Sequence, residues 1–319
     1  MIGASTHPQP APPTDLDAWT TSIRNGDRRA LARALTEVEN RGPRADGLLR
    51  ALFSFTGKAR RLGVTGAPGA GKSTLVSGLC TCLRQSGEQV AVVAVDPTSP
   101  FTGGSILGDR VRMQSHHNDP GVFIRSMATR GSLGGLAPAT DDVMLVLEAA
   151  GYEQIVIETV GVGQAEVEVA KLASVVSLVL TPSMGDDVQT LKAGIMEIAD
   201  VFVINKADLP GADRLQTELE GMLSLAETQS PVAIVRTVAT EGKGIEEWLQ
   251  ALRTHSGRER NQTLYWEGRL FDMIRRRLME KLMVSGLSQD EIQHSAAEIA
   301  ARRANPYEVA DEIVARLGN

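Results

Sequence analysis

Two cysteines, Cys80 and Cys82, are too few for a disulfide framework, and both fall inside an expected helix. That scarcity suits a reducing, cytoplasmic setting. No apolar run approaches the roughly 18 residues a membrane span requires, so no membrane partner is expected. A long basic run is also missing. Lys and Arg number 33 against 39 Asp and Glu, a net charge of −6, which offers little to neutralise nucleic-acid phosphate. The five histidines are scattered except for His116-His117, expected in a polar loop. Residues 1–14 are rich in proline and small side chains without an apolar core, which predicts a disordered tail and not a signal peptide.

What is present is ordinary for a globular chain: 42% hydrophobic and 23% charged residues over 319 positions. That length suits one large domain with a smaller appendage, or two modest domains. Helical spacing over 15–40, with Ile23, Leu31, Leu35 and Val38 inward, and a short helix over 47–55 predict an N-terminal arm spanning 15–58. From 59 to 255 the pattern changes. Apolar, β-branched runs at 62–65, 89–95, 154–157, 175–180, 201–204 and 232–235 alternate with helical stretches. Strands apolar on both faces, separated by helices, predict a doubly wound, mostly parallel α/β sheet. Periodicity leaves the strand order open. Beyond 256 the strands stop. Leu270, Ile274, Leu278 and Leu282 form one apolar stripe on a long helix. Ser288 with Glu291, and Asn305 with Pro306 and Glu308, mark two further helix starts, the last helix carrying Val309, Ile313 and Leu317 on one face. This C-terminal segment either packs on its own domain or forms a dimer interface.

Gly66-Ala67-Pro68-Gly69-Ala70-Gly71-Lys72-Ser73-Thr74 follows an expected strand and opens an expected helix. It satisfies G-x-x-x-x-G-K-[ST] in the context a phosphate-binding loop needs. Backbone N–H groups and the helix start attract phosphate oxygens; Lys72 is expected at the β- and γ-phosphates and Ser73 on Mg²⁺. Asn205-Lys206-Ala207-Asp208 at a strand end reads guanine. Asp208 accepts from the ring N–H and exocyclic amine, Lys206 lies along the base, and Asn205 ties its loop to the phosphate loop. Two charge-assisted bonds favour GTP over ATP by roughly 10²–10⁴-fold. Further along, a backbone N–H at Val238 or Ala239 is expected to meet the guanine carbonyl.

Asp96 and Glu158 end two expected strands, where ligands of α/β sheets gather, and are expected metal ligands with Ser73. Glu158-Thr159-Val160-Gly161 has the layout of the D-x-x-G switch with glutamate for aspartate; Gly161 is expected to sense the γ-phosphate. Asp109, at the end of a long loop opened by Asp96, is expected near the metal or the attacking water. Val162 stands where small GTPases carry a water-positioning glutamine, which predicts slow hydrolysis raised by a partner.

Taken together, these motifs resemble the MeaB/ArgK family, which includes the human methylmalonic aciduria type A protein. The similarity runs from about Ile23 to at least Trp248. Its most specific pieces are Val95 to Pro100, Thr102 to Arg110, Arg130 to Gly135, Glu158 to Gln164, and Gly185 to Lys192. The resemblance implies a dimeric G-protein chaperone that gates cobalamin delivery to an adenosylcobalamin-dependent acyl-CoA mutase and protects or rescues it. It implies metal roles for Ser73, Asp96, Asp109 and Glu158. It also implies switch or partner roles for Gly161, Gln164, Asp186, Gln189 and Lys192, the last assisting hydrolysis. Thr190-Leu191-Lys192-Ala193-Gly194 departs from the Gly-Ile-Lys-Lys-Gly common in the family. The C-terminal region is only loosely similar. No D-x-H-x-x-G cobalamin motif is present, so cobalamin is expected only through the partner. Three alternatives stand beside this reading: a nickel-enzyme GTPase chaperone, a P-loop kinase, and a GTP-binding scaffold without hydrolysis. Scattered histidines oppose the first and Asn205 to Asp208 the second.

Overall fold

The computed structural model describes residues 15–96, 113–128, 137–159, 165–184, 198–225, 232–255, 262–284 and 287–316. They fall into two compact units, Met1–Glu259 and Arg260–Asn319.

The first unit holds a seven-stranded parallel sheet: β1 Arg60–Gly66, β2 Val90–Asp96, β3 Val122–Ala128, β4 Gln154–Thr159, β5 Val175–Leu180, β6 Val201–Asn205 and β7 Ala233–Thr237. Their spatial order is β3-β2-β4-β1-β5-β6-β7. Every neighbouring pair runs parallel. The six expected strands are present within one or two residues at each end. β3 escaped the sequence reading because Arg125 and Ser126 interrupt its apolar run. It is an edge strand, where a polar residue can find a partner beside the sheet: Arg125 donates to Glu39 at 2.6 Å.

Helices cover both faces. Among the described residues these include α1 Leu16–Arg24, α2 Arg28–Glu39, α3 Ala45–Leu52, α4 Lys72–Gln85, α5 Ala137–Ala149, α6 Ala165–Leu172, α7 Ala212–Leu225 and α8 Ile245–Thr254. The single helix expected over 15–40 is two. Gly26 takes a φ of +81°, and Asp27 caps α2 by accepting from the Arg29 and Ala30 N–H groups at 2.8 and 3.1 Å. The expected helix over 47–55 begins at Ala45 and gives way to a 3₁₀ turn at Phe53–Phe55. Ile23, Leu31, Leu35 and Val38 are buried as expected, in one core with α5 and one face of the sheet. Trp19 locks the arm by donating to the Ala30 carbonyl at 3.0 Å. A second core sits on the opposite face, under α4 and α8.

The second unit comprises α9 Gln262–Val284, α10 Gln289–Ala300 and α11 Pro306–Ala315. Both predicted caps form: the Ser288 hydroxyl accepts from Glu291 N–H at 3.1 Å, and Asn305 accepts from Tyr307 N–H at 3.0 Å. Of the expected α9 stripe, Leu282 is buried, whereas Leu270, Ile274 and Leu278 are exposed. Leu317 lies outside the described residues.

Candidate nucleotide site

β1 lies between β4 and β5, so its C-terminal end is where the chain changes direction across the sheet, the usual ligand crevice of such folds. Gly66 closes β1 at φ +140°, and a Cβ there would meet the Val179 carbonyl oxygen at 2.2 Å. The loop then returns to Gly71, at φ +89°, which starts α4 without a side-chain cap. The first turn of α4 therefore presents unsatisfied N–H groups to this crevice. Lys72 is buried, and its Nζ donates to the carbonyls of Gly66 and Ala67 at 2.8 Å each, which holds the ammonium over the loop.

The metal end is built from two strands and a helix. Glu158 sits near the end of β4, in register with Val64 of β1, and is only 3% exposed. Ser73 Oγ donates to Glu158 Oε1. A buried carboxylate facing a hydroxyl is an oxygen donor set suited to a hard divalent ion. Beside them Thr159 Oγ1 donates to Thr65 Oγ1 at 3.0 Å, tying the ends of β4 and β1. Asp96 ends β2 one position beyond Val95, the register partner of Thr159. The backbone therefore brings Asp96 to the same edge as Glu158.

The base end is a network of neutral hydrogen bonds. Asn205, 2% exposed at the end of β6, donates through Nδ2 to the Ala70 carbonyl at 2.8 Å. This is the expected tie between the guanine motif and the phosphate loop. Its Oδ1 accepts from Thr237 Oγ1 and from Ala239 N–H, both at 3.1 Å. The Ala239 N–H, expected to face a guanine carbonyl, is thus engaged by Asn205. Lys206 adopts a left-handed backbone, φ +57°, and Ala207 N–H donates to the Thr237 carbonyl at 3.0 Å, so the loop turns sharply before Asp208. Asp208 is exposed at the rim. Gly71, Thr74, Asn205, Lys206, Asp208, Val238 and Ala239 line a cleft of about 260 Å³ together with Leu209 and Thr240. Sequence reasoning missed those last two; the only signal was their adjacency to Asp208 and Ala239.

Of the remaining expected site residues, Gly69 and Pro68 lie in the loop, whereas Asp109, Gly161, Gln164, Asp186, Gln189 and Lys192 lie outside the described residues. His116-His117, expected in a polar loop, lies in the connection before β3 with His117 exposed, whereas His116 is buried because its ring bonds Ser77 of α4. Burial pushes the Cys80 thiol up to about 12, and the Cys82 thiol is raised as well. Neither readily supplies the thiolate a soft metal needs. Among the described residues, no cluster of three His, Cys, Asp or Glu is placed to hold a metal.

The family model for the methylmalonyl-CoA mutase-associated GTPase MeaB matches residues 31–298. The chain belongs to the MeaB family. A Pyrococcus abyssi protein named as a GTPase is 47% identical over 318 residues, covering 95% of this chain and 97% of that one. The mitochondrial methylmalonic aciduria type A homolog of Mus musculus is 37% identical over 258 residues, 75% of this chain and 62% of that one. The solved structure of an LAO/AO transport system kinase aligns with a TM-score of 0.66 at 27% identity, covering 95% of this chain and 98% of that chain. This MeaB-family member is a GTPase, and nucleotide with Mg²⁺ is the general requirement of P-loop GTPases. The family is associated by name with methylmalonyl-CoA mutase. No described helix is long and apolar enough to cross a membrane.

Proposed function

We propose that this GTPase is a chaperone for an adenosylcobalamin-dependent acyl-CoA mutase, methylmalonyl-CoA mutase or a relative, and gates its cofactor loading, protection or reactivation. The observation that carries the reading is the family match over residues 31–298 on a chain whose phosphate loop and guanine motif are hydrogen-bonded to each other. In this reading Lys72 and the loop N–H groups hold the phosphates, and Asp208 reads the base beside Lys206. Ser73 and Glu158 hold Mg²⁺, with Asp96 and Asp109 completing its surroundings. The ion, when bound, neutralises charge growing between the β- and γ-phosphates. Gly161, Gln164, Asp186, Gln189 and Lys192 answer to the nucleotide and to the mutase. Turnover by the protein alone is slow and rises when the partner completes the site. Cobalamin is met only through the partner.

A homodimer through α9 belongs to the same proposal. Leu270, Phe271, Ile274 and Leu278 expose a helical apolar face of the kind that a second copy buries.

The test is cofactor loading. Apo-mutase is given adenosylcobalamin with this protein and either GTP, GDP or a non-hydrolysable GTP analogue, and holoenzyme is followed by its absorption spectrum. Loading or reactivation that depends on the nucleotide supports the proposal. Identical loading with every nucleotide and without the protein contradicts it.

A further inference from the structure

α4 carries Lys72 and Ser73 on its first turn, and that turn starts from a left-handed glycine with no side-chain cap. Something else must fix how the turn is presented. One turn further along the same face, at i+4 from Ser73, stands Ser77. The His116 ring reaches it twice: Nε2 is 2.9 Å from the Ser77 carbonyl oxygen and 3.1 Å from Ser77 Oγ. A ring nitrogen that bonds a carbonyl must carry the proton, so Nε2–H is the donor. Ser115 Oγ lies 3.3 Å from the same hydroxyl.

The chain around His116 is tied to α4 along its length. Met113, held at φ +48°, is buried in the core beneath α4. Asp119 accepts from Arg84 Nε at 3.1 Å near the other end of the helix, and from Gly121 N–H at 2.8 Å. Arg84 and the Gly121 N–H hold the Asp119 carboxyl below its ordinary range. Residues 113–121 therefore form a rail along α4, and Ser115 and His116 meet the helix at Ser77, one turn from Ser73.

We propose that His116 is a positioning residue for the metal end of the site: through Ser77 it braces the face of α4 that carries Ser73, keeping that hydroxyl against Glu158. This rests on the reading of Ser73 and Glu158 as Mg²⁺ ligands. The base network through Asn205 does not involve His116, and the part of nucleotide retention that Ser73 governs is the part that depends on Mg²⁺.

The experiment is the release rate of a fluorescent GDP from the full chain, in Mg²⁺ and in EDTA, with the thermal midpoint of each variant. His116→Phe fills the buried volume and removes both bonds. Release in Mg²⁺ is expected to accelerate about tenfold, the scale of a lost buried hydrogen bond, with release in EDTA unchanged. His116→Gln, which keeps a terminal N–H, restores most of the difference. Should His116→Phe fail to fold, His116→Asn, whose amide is too short to reach Ser77, carries the same prediction. An unchanged EDTA-to-Mg²⁺ ratio, or equal acceleration in both media, overturns the inference. Ser73→Ala separates the two levels: if it too keeps the wild-type ratio, the metal reading itself fails. If Ser73→Ala loses the ratio and the His116 variant keeps it, only the positioning role fails.

Discussion

α2 and α9 carry the same sequence signal and meet opposite fates. Leu31 and Leu35 on α2 are 3% and 0% exposed, whereas Leu270, Ile274 and Leu278 on α9 are 56%, 46% and 46% exposed. Both sets recur at helical spacing. The α2 residues pack with α5 and one face of the sheet, so the arm is continuous with the core. The α9 residues are exposed among the described residues. Burying such a side chain contributes about 1.5–3 kcal/mol, so a face of three or four is a large unspent driving force. Periodicity reports that a face needs cover; it does not say which molecule supplies it.

Four substitutions test the difference between the two units. Asp208→Ala acts only on the first unit: GTP affinity relative to ATP should fall by roughly 10²–10⁴-fold in a competition assay, with the oligomeric state unchanged. Leu278→Asp acts only on the second: by the symmetry of a two-fold contact each copy loses a buried leucine, and dimer dissociation should strengthen by about 10²-fold in sedimentation. GTP binding should be untouched. Unaltered association would mean that α9 is not the shared face.

Gly71→Ala probes the tie between the two ends of the nucleotide site. A Cβ would come within 2.4 Å of Asn205 Nδ2 at a φ of +89°, a strain of about 1–3 kcal/mol. Nucleotide affinity and the thermal midpoint should both drop. Asp27→Ala removes the cap that divides α1 from α2 and should cost about 1 kcal/mol in denaturant titration. The Ala30 and Arg29 N–H groups lower the Asp27 pKa in the folded state. Its contribution is accordingly present above the ordinary carboxylate pKa and fades as pH falls through the lowered folded value. The gap between wild type and Asp27→Ala should narrow in acid.

Much of the first unit was legible because its chemistry is local. The phosphate loop needs glycines at fixed spacing, and the strands buried on both faces read as unbroken apolar runs. The Asn205 link to Ala70 was readable from motif chemistry, although it joins residues far apart in sequence. What was not legible depended on partners outside each segment. β3 hides behind Arg125, whose carboxylate partner comes from α2. The burial of His116 within its polar loop was not legible because Ser77, which it bonds, is remote in the sequence. Strand order is set by packing of whole helices on the sheet, which no single run encodes. Leu209 and Thr240 join the cleft only because two loops converge there.

The most direct measurement is the GTP turnover of the purified protein with and without a cobalamin-dependent acyl-CoA mutase, with ATP as the control. Slow turnover alone and a clear rise that requires both GTP and the mutase are expected. Fast turnover by the protein alone, or a rate indifferent to the mutase, would contradict it.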